Sequence, residues 1–395
     1  MVAGEEAQRR ELDRLLIETV EEAHQRERTT FDKATKQFGN RLVLFGAGNL
    51  GRKALAALRA DGVEPLAFVD NNEALWGSQV RGIPVLSPYD GARQFGDSAS
   101  FCIAIWRGEG TDTMKQRRQP LLDAGCLNVV DFGALFWKYH TRVLPHYSLD
   151  LPHHVLVRAD AVRAAFDLWT DDASRAEYVA QVRWRLWLDF DNLPPPLKEE
   201  IYYPRDLVDI SDDEVFIDCG AFDGDTVRAF IGHAEGRFKR IYAFEADQSN
   251  FRRLCDFAAS APEGIRARLV CSDAALNDRA GWLFFTETGT AASAVAKQGV
   301  RVRAVALDEE LTEAPTWIKM DIEGSEPAAL RGAQRTIASH APILSICVYH
   351  SQNHLWDVPL QIAAMHPGYR QYLRPFVPES WDLVCYAVPK TRLRE

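Results

Sequence analysis

The chain has 395 residues, and at roughly 150 residues per domain this length leads us to expect two or three domains. Hydrophobic residues make up 47% of the chain and charged residues 26%, a balance that excludes a disordered protein. The net charge of −10 argues against nonspecific nucleic-acid binding, which depends on basic surfaces.

Cysteine usage and hydropathy indicate the compartment. The seven cysteines are scattered and form no C-x-x-C pair, which favours reduced thiols over a disulfide framework. No apolar run reaches the roughly 18 residues of a membrane span. The first ten residues lack the apolar core of a signal peptide. We therefore expect a soluble, cytoplasmic protein without nucleic-acid or membrane partners, and homo-oligomerisation stays open.

Residues 1–38 are predicted as an N-terminal helical segment. Within it, the stretch from Glu11 to His24 places Leu12, Leu16, Val20 and Ala23 on one stripe of a helix.

Residues 39–145 are predicted as a Rossmann-like nucleotide-binding domain. A strand from Arg41 is followed by the G-x-G-x-x-G of Gly46 to Gly51 and then by a helix over 52–60. The next strand, 65–70, ends in an acidic residue 19 positions after Gly51, where a ribose hydroxyl pair would bind. The weak candidate nucleotide site therefore comprises Gly46, Gly48, Asn49, Gly51 and Asp70.

Three interpretations of this domain stay open. It could bind a nucleotide or nucleotide-sugar, since Gly77–Pro88 resembles the small Rossmann-like modules attached to sugar-modifying enzymes. It could belong to an NAD(P)-dependent oxidoreductase, although residues 75–145 show no convincing catalytic constellation. It could also be a scaffold without a ligand.

Residues 146–210 are predicted as a helical connector. Helices are expected over 155–170 and 173–190, and the run Pro194-Pro195-Pro196 closes the second.

Residues 211–395 begin with a strand and a glycine turn. The apolar triplet from Val215 precedes Asp218, Gly220 and Gly224, a pattern that predicts a strand, a tight turn and a helix. A second strand over 241–245 ends in Glu245, which could accept both hydroxyls of a ribose. Because the spacing is not the G-x-G-x-x-G that cradles a pyrophosphate, the motif favours S-adenosylmethionine over a dinucleotide.

Further motifs follow in an order that identifies a family. The motifs of this half are FIDCGAFDGDT (216–226), YAFEAD (242–247), IKMDIEGSE (318–326), SICVYH (345–350), LWDVPLQI (355–362) and YRQYLRP (369–375). With them, the chain resembles the FkbM family of S-adenosylmethionine-dependent methyltransferases over roughly residues 200 to 390.

Together with the N-terminal glycine motif, the resemblance implies an α/β fold with two Rossmann-like, doubly wound sheets. The C-terminal sheet would have seven strands, mostly parallel, with residues 369–375 and 382–388 as a reversed last hairpin. Cofactor contacts would fall at the carboxyl ends of its strands. The expected cofactor-binding residues are Asp218, Gly220, Ala221, Phe222, Gly224, Asp225, Thr226, Glu245, Ala246, Asp247, Asn250, Ser272 and Asp273.

Three residues are candidates for the chemistry of transfer. A sulfonium is a strong electrophile, so a hydroxyl acceptor mainly needs positioning and a base for its proton. Asp321 and Glu323 follow one strand, and His350 follows the strand expected from Ile343. We expect no metal. The alternative, a metal site of His350, His354, Asp321 and Glu323, would gain support if the two histidines shared a helix.

The sequence therefore predicts an S-adenosylmethionine-dependent methyltransferase. Its acceptor is expected to be a hydroxyl on a sugar, a glycan or a secondary metabolite, and the oxidoreductase or nucleotide-sugar-binding reading of the N-terminal domain is the alternative.

Overall fold

The computed structural model describes residues 2–106, 112–286, 294–296 and 298–394. The chain divides into two compact units, each assembled from separate stretches of sequence. The N-terminal unit consists of Met1–Val162, Ala176–Pro196 and Val377–Trp381, and the C-terminal unit consists of Arg163–Arg175, Leu197–Phe376 and Asp382–Glu395. Residues 146–210, predicted as one connector, are therefore shared between the two units.

The first half of the chain alternates helices and short strands. In chain order its elements are α1 (Val2–Leu15), α2 (Val20–Thr35), β1 (Leu42–Phe45), α3 (Asn49–Ala60), β2 (Ala67–Val69), β3 (Gln79–Val80), β4 (Ile83–Leu86), α4 (Pro88–Phe95), β5 (Ser100–Ile103), α5 (Met114–Asp123), β6 (Val129–Asp131), α6 (Phe132–Lys138), α7 (His140–Val143), α8 (Pro152–Val157), α9 (Ala159–Phe166) and α10 (Asp172–Trp187).

Two helix predictions in this half were wrong in their extent. The stripe from Glu11 to His24 is interrupted, because Thr19 and Glu22 form a capping box that starts α2 as a separate helix. The helix predicted over 155–170 is likewise two helices, α8 and α9, with Arg158 capping the first. The S/T-x-x-E spacing at Thr19 was a readable signal for the first break.

The N-terminal unit is built on a six-stranded sheet in the order β3-β4-β2-β1-β5-β6. All neighbouring strands are parallel except β3 and β4. The central strand β1 is buried along its whole length, as expected for a parallel strand covered on both faces. The chain order reverses between β1 and β5, and ligands of such sheets bind at the carboxyl ends of the strands flanking that point.

The second half of the chain contains the elements of the larger sheet and of a side sheet. They are β7 (Val215–Cys219), α11 (Asp225–His233), β8 (Arg240–Phe244), α12 (Gln248–Ser260), α13 (Glu263–Arg266), β9 (Leu269–Ser272), β10 (Ala275–Leu276), β11 (Gly281–Thr286), β12 (Ala294–Ala296), β13 (Val300–Val305), α14 (Leu307–Glu310), β14 (Trp317–Met320), α15 (Glu326–Arg331), α16 (Gln334–His340), β15 (Ile343–Cys347), α17 (His354–Met365), β16 (Tyr369–Pro375) and β17 (Leu383–Pro389).

The C-terminal unit contains a seven-stranded sheet in the order β16-β17-β15-β14-β7-β8-β9. The strands from β15 to β9 are parallel, whereas β17 runs antiparallel to both β15 and β16. The predicted fold class, with a seven-stranded sheet and a reversed last hairpin, is confirmed. The order reverses between β7 and β14, so the ends of these two strands locate the site.

Among the described residues, no helix is both long and apolar enough to cross a lipid bilayer.

Candidate functional site

A buried ion pair joins the two central strands of the larger sheet. Asp218 on β7 and Lys319 on β14 are register partners, and the Lys319 Nζ lies 2.9 Å from the Asp218 Oδ1. The same Nζ donates to the Gly220 carbonyl oxygen at 2.8 Å. Lys319 therefore holds both the strand end and the first residue of the glycine turn.

The glycine turn after β7 leaves no room for side chains at two positions. Gly220 has φ +83°, and a Cβ there would lie 2.0 Å from the Asp321 carbonyl oxygen. Gly224 has φ +89°, and a Cβ there would lie 2.7 Å from the Phe257 ring. Phe222 between them is left-handed, with φ 49°, a conformation costly for a non-glycine residue. The turn is thus packed directly against the backbone that follows β14.

Glu245 fixes this turn from the end of β8. Its Oε2 accepts a hydrogen bond from the Phe222 amide at 2.9 Å, and its Oε1 accepts one from the Asp247 amide at 2.8 Å. Burial raises the pKa of Glu245 to about 7, although both amide bonds act to lower it. A carboxylate can accept about four hydrogen bonds, so two acceptor positions stay available for a ligand.

The other predicted cofactor residues surround this carboxylate in different ways. Asp247 caps α12, since its Oδ1 accepts from the Ser249 and Asn250 amides at 2.9 and 3.1 Å. Asp225 occupies the first turn of α11 and accepts from the Thr226 amide. The Ser272 carbonyl oxygen accepts from the Glu245 amide at 3.0 Å, which brings the end of β9 beside β8. Ala221, Ala246 and Asp273 lie in the same strand-end loops.

Asp321 follows β14 directly and faces two tyrosines. The Tyr202 hydroxyl donates to the Asp321 Oδ2 at 2.7 Å, and the Tyr349 hydroxyl donates to the Oδ1 at 3.4 Å. About a quarter of the Asp321 side chain is exposed, in contrast to the buried Asp218. Asp321 is therefore the carboxylate of this strand pair that a second substrate could reach.

His350 lies between carboxylates on both sides of its ring. Its Nε2 lies 3.2 Å from the Asp321 Oδ1, and its Nδ1 lies 2.8 Å from the Glu326 Oε1. Glu323, which has φ 52°, places its Oε1 3.8 Å from the same Nε2. The three predicted catalytic residues are therefore neighbours in the structure.

The charges of this cluster depend on each other. Burial alone would lower the pKa of His350, but Glu326 and Asp321 raise it well above its ordinary value. Burial alone would raise the pKa of Asp321, but His350 and Lys319 lower it below its ordinary range. The raised pKa of His350 favours its protonated form, in which the Nε2 faces Asp321 and the Nδ1 faces Glu326.

The same cluster has the composition of a metal site. Single ligand atoms from Asp321, Glu326 and His350 lie within 4.8 Å of one another. His354 starts α17, while His350 lies before that helix, so the two histidines are not on one helix. They nevertheless share Glu326, whose Oε2 lies 3.4 Å from the His354 Nδ1. The expectation of a site without metal stays a prediction.

Sequence reasoning missed four residues of the site. Lys319 and Glu326 lie inside the IKMDIEGSE motif, so the motif itself carried a signal for them. A lysine in the middle of an apolar strand must be paired when buried, and this marks Lys319 without any structure. Tyr349 lies inside the SICVYH motif and was marked in the same way. Tyr202 gave no such signal, because packing brings it to Asp321 from a distant segment.

The N-terminal glycine loop has a closely related arrangement. Asp70 at the end of β2 accepts from the Ala47 amide at 2.7 Å and from the Asn72 amide at 2.8 Å. Gly46 has φ +110°, and a Cβ on Gly51 would lie 1.8 Å from the Gly46 carbonyl oxygen. Gly48 and Asn49 start α3. The structure thus brings all five predicted residues of this weak site together.

Comparison with known proteins agrees with the C-terminal geometry. Residues 218–378 match the methyltransferase FkbM domain. No curated protein sequence matches the chain significantly.

Solved structures were compared as well. The crystal structure of the methyltransferase FkbM from Methylobacillus flagellatus KT is similar, with a TM-score of 0.77 and 22% sequence identity. The similarity covers 98% of this chain and 99% of that chain, and at this identity it shows a shared fold. The methyltransferase domain of bacterial CtHen1 matches 45% of this chain at 10% identity, 90% of its own length being covered, and its TM-score of 0.28 supports no conclusion. The family predicted from the motifs is confirmed for the C-terminal region: residues 218–378 form an FkbM methyltransferase domain.

Proposed function

We propose that the protein transfers a methyl group from S-adenosylmethionine to a hydroxyl oxygen of a sugar, a glycan or a secondary metabolite. The observation that carries the proposal is the meeting of the glycine turn, Glu245 and Asp321 at the strand ends where the larger sheet reverses its order. We place the reaction in the cytoplasm, in keeping with seven free cysteines.

The residues present fit the methyl donor. Among the described atoms, the fully buried Asp218 Oδ2 has no hydrogen-bond partner, although its Oδ1 binds Lys319. Burial raises the pKa of Asp218 to about 6, so this oxygen is mostly ionised at neutral pH and suits an ammonium group. Glu245 would hold the ribose hydroxyls with its two remaining acceptor positions. When bound, S-adenosylmethionine supplies an electrophilic methyl group.

Asp321 is the residue we assign to the acceptor's proton. His350 suits this role less well, because Glu326 and Asp321 raise its pKa well above the ordinary value and so favour the form that has no ring nitrogen left to accept a proton. An alcohol becomes strongly acidic as its oxygen gains a methyl group, so even a carboxylate with a lowered pKa is a sufficient base. The Tyr202 hydroxyl orients the Oδ2 of Asp321, and the Tyr349 hydroxyl and His350 both face its Oδ1.

The proposal can be tested with 13C-methyl-labelled S-adenosylmethionine and a panel of sugars, glycans and hydroxylated metabolites. We expect a new methyl ether resonance in at least one product. Asp321→Asn should lower kcat roughly 100-fold, the range of a lost general base, and leave binding of S-adenosylhomocysteine intact. The exposed Asp212→Asn serves as the matched control and should leave both unchanged.

Two results would contradict this assignment. A label found only on nitrogen or carbon would exclude a hydroxyl acceptor. Full activity of Asp321→Asn would show that another group takes the proton.

A further inference from the structure

The N-terminal unit contains a large cavity that the proposed methyl transfer does not use. Its volume is about 1440 Å³, larger than the roughly 300–1,000 Å³ of most small-molecule sites. It lies at the carboxyl ends of β1, β2 and β5, the strands that flank the reversal in strand order. Residues from all three strand ends line it: Gly46, Gly48, Asn49 and Lys53 after β1, Asp70, Asn71 and Asn72 after β2, and Ala104, Ile105 and Trp106 after β5.

The glycine loop at the floor of this cavity is shaped for close approach of a ligand. Gly46 and Gly51 are needed for packing, since a Cβ on either would collide with protein atoms. Gly48 is different, because a Cβ there would meet nothing within 4 Å. Gly48 is also the N-cap of α3, and in the described residues no side chain caps this helix. Because Gly48, Asn49 and Leu50 line the cavity, the first backbone amides of α3 face it and are available to a ligand.

Basic side chains line the same cavity as these amides. Arg52 and Lys53 belong to α3 itself, and Arg81 also lines the cavity. The Lys53 Nζ lies 3.5 Å from the His146 Nδ1, and burial lowers the pKa of both groups, that of His146 to about 4. Arg117 is already paired with Glu379 at 3.0 Å. Cations near a helix N-terminus favour a phosphate group.

Acidic and amide side chains occupy a second part of the wall. Asp70 holds the Ala47 amide of the glycine loop and keeps acceptor positions for a ligand, as Glu245 does in the other unit. Asn71, Asn72, Glu73 and Asp112 also line the cavity. Carboxylate and amide groups of this kind suit the hydroxyls of a ribose.

Aromatic rings form a third part of the wall. The ring centroids of Trp106 and Trp381 are 4.9 Å apart, and those of Tyr147 and Trp381 are 4.7 Å apart. All three line the cavity. Trp106 and Trp381 are only 3% and 7% exposed, so the partly exposed Tyr147 is the ring of this cluster whose face is open to a base or a sugar.

We propose that this cavity binds a nucleoside diphosphate, either free or joined to a sugar. Phosphate groups would lie on the glycine loop and the start of α3, the ribose beside Asp70, and a ring of the ligand against Tyr147, which packs on Trp381. The proposal does not rest on methyl transfer, because none of these residues belongs to the C-terminal site.

The test is calorimetric titration of the full chain, with tryptophan fluorescence as a second readout because Trp106 and Trp381 line the cavity. The probes are ADP, GDP, UDP, CDP and dTDP, their glucose conjugates, NADH and inorganic phosphate. We expect saturable binding of at least one nucleoside diphosphate. Tighter binding of its glucose conjugate would identify the sugar-linked form, and equal binding would identify the free form.

One variant pair makes the test specific to the loop. Gly48→Ala adds a methyl group that meets no protein atom, so the chain should fold normally while the phosphate is displaced. We expect a loss of affinity of roughly 10-fold, as for one displaced charge-assisted hydrogen bond. Gly232→Ala, at an exposed helical glycine of the other unit with equally open space, is the matched control and should bind normally.

Three outcomes would overturn the proposal. In the first, the folded chain binds no probe, or binds one that Gly48→Ala does not weaken. In the second, NADH binds but no nucleoside diphosphate does, which indicates a hydride-transfer cofactor. In the third, inorganic phosphate binds as tightly as every nucleotide, which indicates a simple anion site.

Discussion

The two glycine loops of this protein share one hydrogen-bonding pattern. They differ in the side chains that follow the neighbouring strand, β5 in one unit and β14 in the other. In both, an acidic residue at the end of the second strand accepts from a loop amide and from the amide two residues further on: Asp70 from Ala47 and Asn72, Glu245 from Phe222 and Asp247. In both, the following helix starts at a glycine without a side-chain cap among the described residues. This hydrogen-bonding pattern positions the loop for a ligand, but it does not determine which ligand binds or whether a reaction follows.

The difference lies in the strand beyond the reversal of order. In the C-terminal unit, β14 carries the buried Lys319 and ends at Asp321, which leads into the His350 cluster. In the N-terminal unit, β5 is followed by Ala104, Ile105 and Trp106, which present apolar and aromatic surface. The end of β14 thus provides ionisable groups for a reaction, whereas the end of β5 provides part of the wall of a binding cavity.

The largest effects should come from the glycines that both loops need. Gly220→Ala and Gly46→Ala each combine a positive φ with a collision, so each should lower the free energy of unfolding by about 3–5 kcal/mol. Denaturant unfolding measures this loss. The controls Gly48→Ala and Gly232→Ala should change stability by about 1 kcal/mol or less. Equal stability of all four variants would contradict the close packing of Gly46 and Gly220 against the neighbouring backbone.

The buried pair of Asp218 and Lys319 in the C-terminal unit gives the next effect. Lys319→Met leaves Asp218 buried without its partner and should cost about 3–5 kcal/mol in unfolding free energy. The double variant Lys319→Met with Asp218→Leu removes both charges and should recover part of that loss. If the double variant lost the sum of the two single losses, the pair would not be coupled.

Exchanging the two strand-end acids for amides should separate the two sites. Glu245→Gln should weaken S-adenosylhomocysteine binding by roughly 10-fold or more, since an amide offers one oxygen where the carboxylate offers two. Asp70→Asn should leave that binding unchanged. Isothermal titration of both variants with S-adenosylhomocysteine measures the contrast. An equal loss of affinity in the two variants would contradict the assignment of S-adenosylhomocysteine binding to the C-terminal unit.

The smallest effect is a pH dependence of stability. The folded state raises the pKa of His350, so its stabilising contribution is full below the ordinary value of about 6.5 and is lost as the pH rises towards the folded value. The wild-type chain should therefore lose stability with rising pH relative to His350→Gln, by at most about 1.4 kcal/mol per pH unit. The exposed His340→Gln should track the wild type, and parallel curves for all three chains would contradict the charged His350.

The sequence predicted the parts of the molecule in which a local pattern determines the structure. Apolar runs next to glycine turns located β1, β7 and β14, and an apolar run ending in Glu245 located β8, because a buried parallel strand needs apolar residues along its length. Strand ends were displaced by one or two residues: the strand expected over 65–70 spans Ala67–Val69, and the one expected to precede His350 directly ends at Cys347. These shifts move no predicted site residue to another strand.

What the sequence did not reveal depends on contacts between distant segments. Tyr202 reaches Asp321 across more than a hundred residues of chain, and no local periodicity records such a contact. The charge of His350 follows from Glu326 and Asp321 together, so its role as a general base could be questioned only after both distances were known. The division of residues 146–210 between two units is a tertiary property of the same kind.

The most direct test of the central claim is calorimetric titration of the full chain with S-adenosylhomocysteine. We expect saturable binding of one molecule per chain. This binding should be lost in Glu245→Ala and retained in Gly48→Ala, because Gly48 lies in the other unit. No binding to a folded chain, or binding that Glu245→Ala leaves intact, would contradict the assignment of the methyl-donor site to the glycine turn after β7.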